Sequence, residues 1–194
     1  MKTVSINLYS FEELSEQAQQ NAIDKNRDFN IDRDWWKFTY EDAERIGLKI
    51  TSFDLDRNRH ADGNFLLSPQ EVAANILKEH GEECETYKTA SKYLEEQNPI
   101  FAEYTTEPDN MEELENKLME LEEQFLNDIL EDYSIMLQNE YEYLISDEAI
   151  KEILIINEYL YFKSGEMAHV TQYTGKHERA GETEVKIHGE TILI

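Results

Sequence analysis

Between residues 110 and 145 the apolar side chains fall at Met111, Leu114, Leu118, Leu121, Phe125, Ile129, Tyr133, Leu137, Tyr141 and Leu144. Every step is three or four residues, and the mean is about 3.7, which is the period of a helix and not of a strand. A single helix over this stretch would be about 50 Å long. A hairpin of two shorter helices would carry the same pattern. In either case the apolar stripe has to be covered by elements from elsewhere in the chain.

Those elements are short. "KTVSINLY" (2–9) alternates Val4, Ile6 and Leu8 and reads as a strand. Ser10 and Glu13 form an S-x-x-E capping box, predicting a helix to about Arg27 with Phe11, Leu14, Ala18 and Ala22 on one face. The connection "NIDRDWWKF" becomes helical near Thr39, and Gly47 ends that helix. "LKITSFDL" (48–55) reads as a second strand. Ser68, Pro69 and Glu71 start a helix that runs to Gly81. A fourth helix, over about 82–97, stops before Asn98-Pro99, and Ser146 caps another to Asn157. Beyond 159, turn signals at Ser164-Gly165, Thr174-Gly175, Ala180-Gly181 and His188-Gly189 separate β-rich runs, a C-terminal meander over 159–194. The expectation is a single α+β domain over 1–194, helix-dominated. It has a long helix or helical hairpin around 110–145 and a possible hinge near 103–110. A small antiparallel sheet joins 2–9, 48–55 and the C-terminal strands.

Charge narrows the function. The 194 residues carry 18 Lys and Arg against 43 Asp and Glu, a net of −25. Such a chain repels nucleic acid and anionic membrane, so neither is expected as a direct partner. With 11 Tyr, 8 Phe, 2 Trp and only 3 Pro, the acidity does not signal disorder. No apolar window is long enough to span a membrane, and the N-terminus does not read as a signal peptide. Cys84 is the single cysteine, which excludes a disulfide framework or a cysteine zinc site and fits a reducing cytosol. No cofactor is expected.

The negative charge is concentrated. From Tyr93 to Ile150 there are 18 acids against one base, Lys117. Glu112, Glu113, Glu115, Glu120, Glu122, Glu123, Glu131, Asp132, Glu140 and Glu142 all avoid the apolar positions of the long helical stretch. One reading is a solvated helix face. The other is a docking surface for a basic protein, and in its sharpest form a nucleic-acid mimic. From Glu112 to Glu142 the net charge is about −10 over about 45 Å. That is one charge per roughly 4.5 Å, against about 3.4 Å for one DNA strand and 1.7 Å for a duplex. Like charges four residues apart weaken a helix by a few tenths of a kcal/mol per pair, which apolar packing must offset.

The stretch "ITSFDLDRNRHADGNF" (50–65) is the densest group of candidate ligands. As a calcium loop it places Asp54, Asp56 and Asn58 at positions 1, 3 and 5. It then fails, with Arg59 at position 6 and Phe65 at position 12. Its D-x-D resembles a phosphatase nucleophile pair, but the parallel α/β sheet that chemistry needs is not in the pattern. Asp54, Asp56, His60 and Asp62 could serve a metal-dependent hydrolase. The local alternative is a strand that turns at Asp62-Gly63, with Asp54 and Asp56 pairing with Arg57 and Arg59 or accepting backbone bonds. Elsewhere, Trp35, Trp36, Phe38 and Tyr40 form an aromatic cluster for the core or for a partner. Cys84, among Glu82, Glu83 and Glu85, is poorly placed for a nucleophile.

The wording of several segments is itself informative. "LYSFEELSEQAQQNAI", "DWWKFTYEDAERIGLKITSFDLDRNRHADGNF", "HGEECETYKTASKYLEE" and "NEYEYLISDEAIKEILIINEYLYFKSGEM" follow one another in order. Over roughly residues 5–167 the chain resembles a family of small acidic proteins of phages, prophages and bacterial mobile elements. Many members have "GDGA" with flanking aromatics where this chain has "HADGNF". The resemblance implies a mobile-element protein in the bacterial cytosol, and some members carry an antitoxin label. It carries over no catalytic residues. Together with the charge it leads to an expected function. The chain is a non-enzymatic acidic protein that inhibits a basic, nucleic-acid-handling host protein, as anti-restriction and anti-CRISPR proteins do. An antitoxin-like partner of a toxin and a metal-dependent hydrolase using Asp54–Asp62 are the alternatives.

Overall fold

The structure is a computed structural model that describes residues 7–106, 111–168, 170–172, 183–187 and 190–193. It is a helix-dominated α+β protein, as the periodicity predicts. In chain order, a two-residue strand β1 (Tyr9–Ser10) leads into a 3-10 turn (Phe11–Glu13). The chain continues with α1 (Glu16–Lys25), α2 (Lys37–Ile46), β2 (Leu48–Asp54), β3 (His60–Phe65), α3 (Pro69–Glu79) and α4 (Glu85–Thr106). Then come α5 (Met111–Leu144), α6 (Asp147–Ile156), β4 (Leu160–Tyr161), β5 (Val170–Gln172), β6 (Thr183–Ile187) and β7 (Glu190–Leu193).

Several starts and stops follow from local chemistry. Ser68 accepts from Glu71 N, and the Glu71 carboxylate accepts from Ser68 N (3.1 Å), which closes the box that opens α3. Gly47 ends α2 at φ +94°, in the left-handed region. Ser146 Oγ accepts from Ala149 N and opens α6. The stretch 111–144 is one helix of 34 residues and not a hairpin.

Four expectations are corrected. The helix from Ser10 to Arg27 is split. Ser10 and Glu13 form their box around the 3-10 turn, Leu14 is extended and buried, and Ser15 caps α1 anew by accepting from Ala18 N. Gln19 Nε2 bonds to Phe11 O and Leu14 O and so satisfies the carbonyls at the break. The fourth helix does not stop at Asn98-Pro99 but passes through Pro99 to Thr106. Gln70 donates to Gln97 (2.9 Å), and Gln97 to Tyr93 (2.6 Å), which holds the turn that enters the proline. Of the expected hinge, 103–106 is therefore helical, and 107–110 lies outside the described residues.

The third correction is the sheet. Among the described residues there are three sheets in place of one, all antiparallel: β1 with β4, the hairpin β2–β3, and a meander β5–β6–β7. Strand β2 finds its partner in β3 across a five-residue turn, so it needs none from the termini. Most of the N-terminal strand, residues 1–6, lies outside the described residues, as do 173–182 of the C-terminal tail. The fourth concerns Asp62 and Gly63, which are strand residues. The turn is Leu55–Arg59, and Gly63 pairs with Ile50 beside a bulge. A Cβ at Gly63 would collide with Lys49 O and lie 2.9 Å from Leu130 Cδ2, so glycine permits a close approach here and not a turn.

The sequence reading takes the chain as one domain; the structure falls into two compact units. One comprises Met1–Arg33 and Tyr143–Ile194, the other Asp34–Glu142. The first centres on Phe11, Leu14, Ala18, Ala22, Ile23, Ile150, Leu154 and Tyr161. Within it Arg27 bridges Asp24 and Asp147 and donates to Ile145 O, while Asn30 donates to Leu144 O, which satisfies carbonyls at the end of α5. The second unit has α2, α3, α4 and the hairpin packed with α5. Ile46, Leu48, Val72, Ile76, Ile129 and Tyr133 are its fully buried centre, and Tyr93 stacks on Phe125 at 4.3 Å.

Candidate functional site

The ten predicted acids all lie on α5, but they do not form one free face. Glu112, Glu113, Glu115, Glu120, Glu123, Glu140 and Glu142 are exposed. Glu113 binds Lys117 (2.8 Å), the single base of the helix, and Glu142 accepts from Gln138 (2.7 Å). Glu112, Glu120, Glu123 and Glu140 have no ion-pair partner among the described residues. Glu122 is half-buried, and burial raises its pKa.

Glu131 and Asp132 are tied into the packing. Glu131 pairs with Arg59, whose Nε also donates to Ser134 Oγ (3.2 Å), so the Leu55–Arg59 turn is pinned to α5. Asp132 is half-buried and accepts from Thr89 Oγ1 (2.7 Å). Burial raises its pKa, and the negative charges of Glu85, Asp128 and Glu131 add to the effect, while the Thr89 bond opposes it.

Asp132 lines a cavity of about 480 Å³ between α2, α3, α4 and α5. Asp42, His80, Thr86, Ile135 and Met136 line it too. His80 follows the last residue of α3, and its Nδ1 lies 2.7 Å from Thr86 Oγ1. Its Nε2 is buried, 3.4 Å from Asp42 Oδ2, without an aligned hydrogen bond. Tyr133, fully buried, donates to the same Asp42 oxygen (2.9 Å). Asp42 is held below the ordinary carboxylate range, chiefly by His80 and then by Tyr133 and Arg45, against the opposing effect of burial. Sequence reasoning missed this group, because its members come from α2, the end of α3 and α5 at no fixed spacing. The one local signal is His80, placed directly after a well-capped helix.

The 50–65 ligand candidates serve the hairpin itself. Asp54 Oδ1 accepts from Asp56 N (2.8 Å), Asp62 from Ser52 Oγ (2.7 Å), and His60 Nδ1 contacts Asn58 O (2.7 Å). Arg59 pairs with Glu131 and not with Asp54 or Asp56. Among the described residues no three His, Cys, Asp or Glu side chains are grouped to hold a metal ion. The aromatic cluster is larger than expected. Trp35 packs on Trp36, Phe53 and Tyr141 at 5.6–5.8 Å, and Tyr40 joins through Phe53, whereas Phe38 points away and is 79% exposed. No described helix is long and apolar enough to cross a membrane. No protein-family model, curated protein or solved structure matches the chain.

Proposed function

We propose that the chain is a non-enzymatic acidic interaction protein that docks on, and blocks, a basic nucleic-acid-handling protein of a bacterial host. The observation that carries this reading is the first half of α5. Its only base, Lys117, is taken by Glu113, which leaves Glu112, Glu120 and Glu123 exposed along the helix with no ion-pair partner among the described residues. A helix fixes the spacing of such charges, and a partner surface that presents lysine or arginine at matching intervals gains attraction with little ordering cost. The mobile-element setting rests on the resemblance over residues 5–167.

The test is capture from a bacterial lysate with wild-type protein and with a variant carrying Glu112→Gln, Glu113→Gln, Glu115→Gln, Glu120→Gln and Glu123→Gln. A basic protein retained by the wild type should be lost from the variant and should elute between about 50 and about 300 mM salt. DNA should compete with the chain for it. A captured partner that ignores the substitutions, salt and DNA would end the proposal.

A further inference from the structure

The charges that act on Asp132 directly are negative. Glu85, Asp128 and Glu131 all oppose its ionisation. The bases that reach this region are already engaged: Lys88 with Glu85 (2.7 Å), Lys92 with Asp128 (3.6 Å) and Arg59 with Glu131. Among the described residues Asp132 itself has only the Thr89 hydroxyl. A half-buried carboxylate without a counter-charge is costly, and this one lines a cavity whose volume is in the range of small-molecule sites. Ile135 and Met136, three and four residues along α5, add an apolar wall on the same side of the helix. Asp42, Glu79 and Glu85 line the cavity as well, each beside a base of its own: His80 and Arg45, Lys78, and Lys88.

We infer that this cavity binds an organic cation, with an ammonium or guanidinium group set against Asp132 and a short apolar arm along Ile135 and Met136. The Asp132 carboxylate, with no ion-pair partner among the described residues, selects for positive charge. The apolar wall and the volume suit a carbon-bearing cation better than a hydrated metal ion, for which the described residues offer no ligand group. Such a group can arrive as a free diamine or guanidine, or as a lysine or arginine side chain of a protein. The inference does not depend on the proposed function, which uses the exposed acids at the other end of α5.

Cys84 makes the site measurable, because the single cysteine of the chain is exposed and lines the same cavity. The probes are agmatine and an end-blocked peptide containing one arginine, at about 150 mM salt. Each should slow alkylation of Cys84 in a saturable way and shift the methyl resonances of Ile135 and Met136. An uncharged urea analogue of agmatine should do neither. Asp132→Asn keeps an acceptor for Thr89 and should weaken both probes at least about tenfold, as expected for loss of a charge-assisted bond. Glu95→Gln, exposed on α4 and not among the residues that line the cavity, should leave both unchanged. Tighter binding of the peptide identifies a protein side chain as the source, and tighter binding of agmatine a free cation. Absence of saturable protection by either probe overturns the inference, as does equal binding by Asp132→Asn or equal weakening by Glu95→Gln. Retention of the lysate partner by Asp132→Asn separates failure here from failure of the proposed function.

Discussion

Replacing Tyr133 with Phe removes one oxygen atom from the second unit and leaves every carbon contact of the ring in place. That oxygen donates to Asp42 Oδ2 at 2.9 Å, and the tyrosine is fully buried. A hydrogen bond to a charged group contributes about 1.5–3 kcal/mol. The Asp42 side chain is 25% exposed and keeps His80 at 3.4 Å and Arg45 at 3.6 Å, so water and these two neighbours recover part of the loss. The expected cost is about 1.5–2 kcal/mol. For a chain of this length that corresponds to a fall in Tm of roughly 3–8 °C. Both tryptophans, Trp35 and Trp36, belong to the same unit, so urea titration followed by tryptophan fluorescence reads the relevant transition. The pH dependence supplies a second signature. The folded pKa of Asp42 is depressed, so its contribution is present above the unfolded value and is lost as pH falls through the folded one. Phenylalanine removes part of that depression. The gap between wild type and Tyr133→Phe should therefore be full at pH 7 and narrow as the pH falls through the depressed folded pKa of Asp42. A cost under about 0.5 kcal/mol at pH 7, or a gap that does not narrow in acid, would refute the assignment of this bond.

Asp132 has the opposite sign. Its folded pKa is raised, so its ionised form opposes folding, and the penalty disappears as pH falls through the folded pKa. Asp132→Asn should raise Tm at pH 7, with an advantage that fades in acid; a lower Tm at pH 7 would contradict the burial argument. Gly63→Ala drives a methyl into Lys49 O and Leu130 and should cost about 2–4 kcal/mol in the same urea titration, because the bulged hairpin must move away from α5. Pro99→Ala restores a donor inside α4 and should stabilise the protein by about 1–3 kcal/mol, read as slower amide exchange in the turn before it. An unchanged exchange rate would mean that the proline is already accommodated without cost.

What could be read from the chain was whatever its neighbours within four residues decide. The box at Ser68 and Glu71, the left-handed stop at Gly47, the cap at Ser146 and the period of α5 each need only local residues. The errors arise where two local signals compete or where the deciding contact is distant. Ser10 and Ser15 are both good caps, and the structure uses both, which splits one expected helix. Pro99 is a strong stop signal overridden by the Gln70–Gln97–Tyr93 hydrogen bonds, the first of which crosses 27 residues. Gly63 next to Asp62 reads as a turn, yet it is glycine because Leu130 on α5 and Lys49 on β2 leave no room. Asp132 stood among ten apparently equivalent acids. Only the fold sets it apart, by turning its flank of the helix toward Thr89 and away from water.

The first unit is discontinuous in sequence, and synthesis imposes an order on it. Helix α1 buries Ala18, Ala22 and Ile23 together with Ile150 and Leu154 of α6, and the Gln20–Asp147 hydrogen bond spans 127 residues. At about 5–20 residues per second that interval is about 6–25 s. Throughout it the apolar flank of α1 is exposed in the cell, while Asp34–Glu142 has all of its own core residues within one continuous segment. The nascent chain thus carries an uncovered amphipathic helix for longer than a small domain takes to fold. During those seconds it is a natural target for holdase chaperones and proteases.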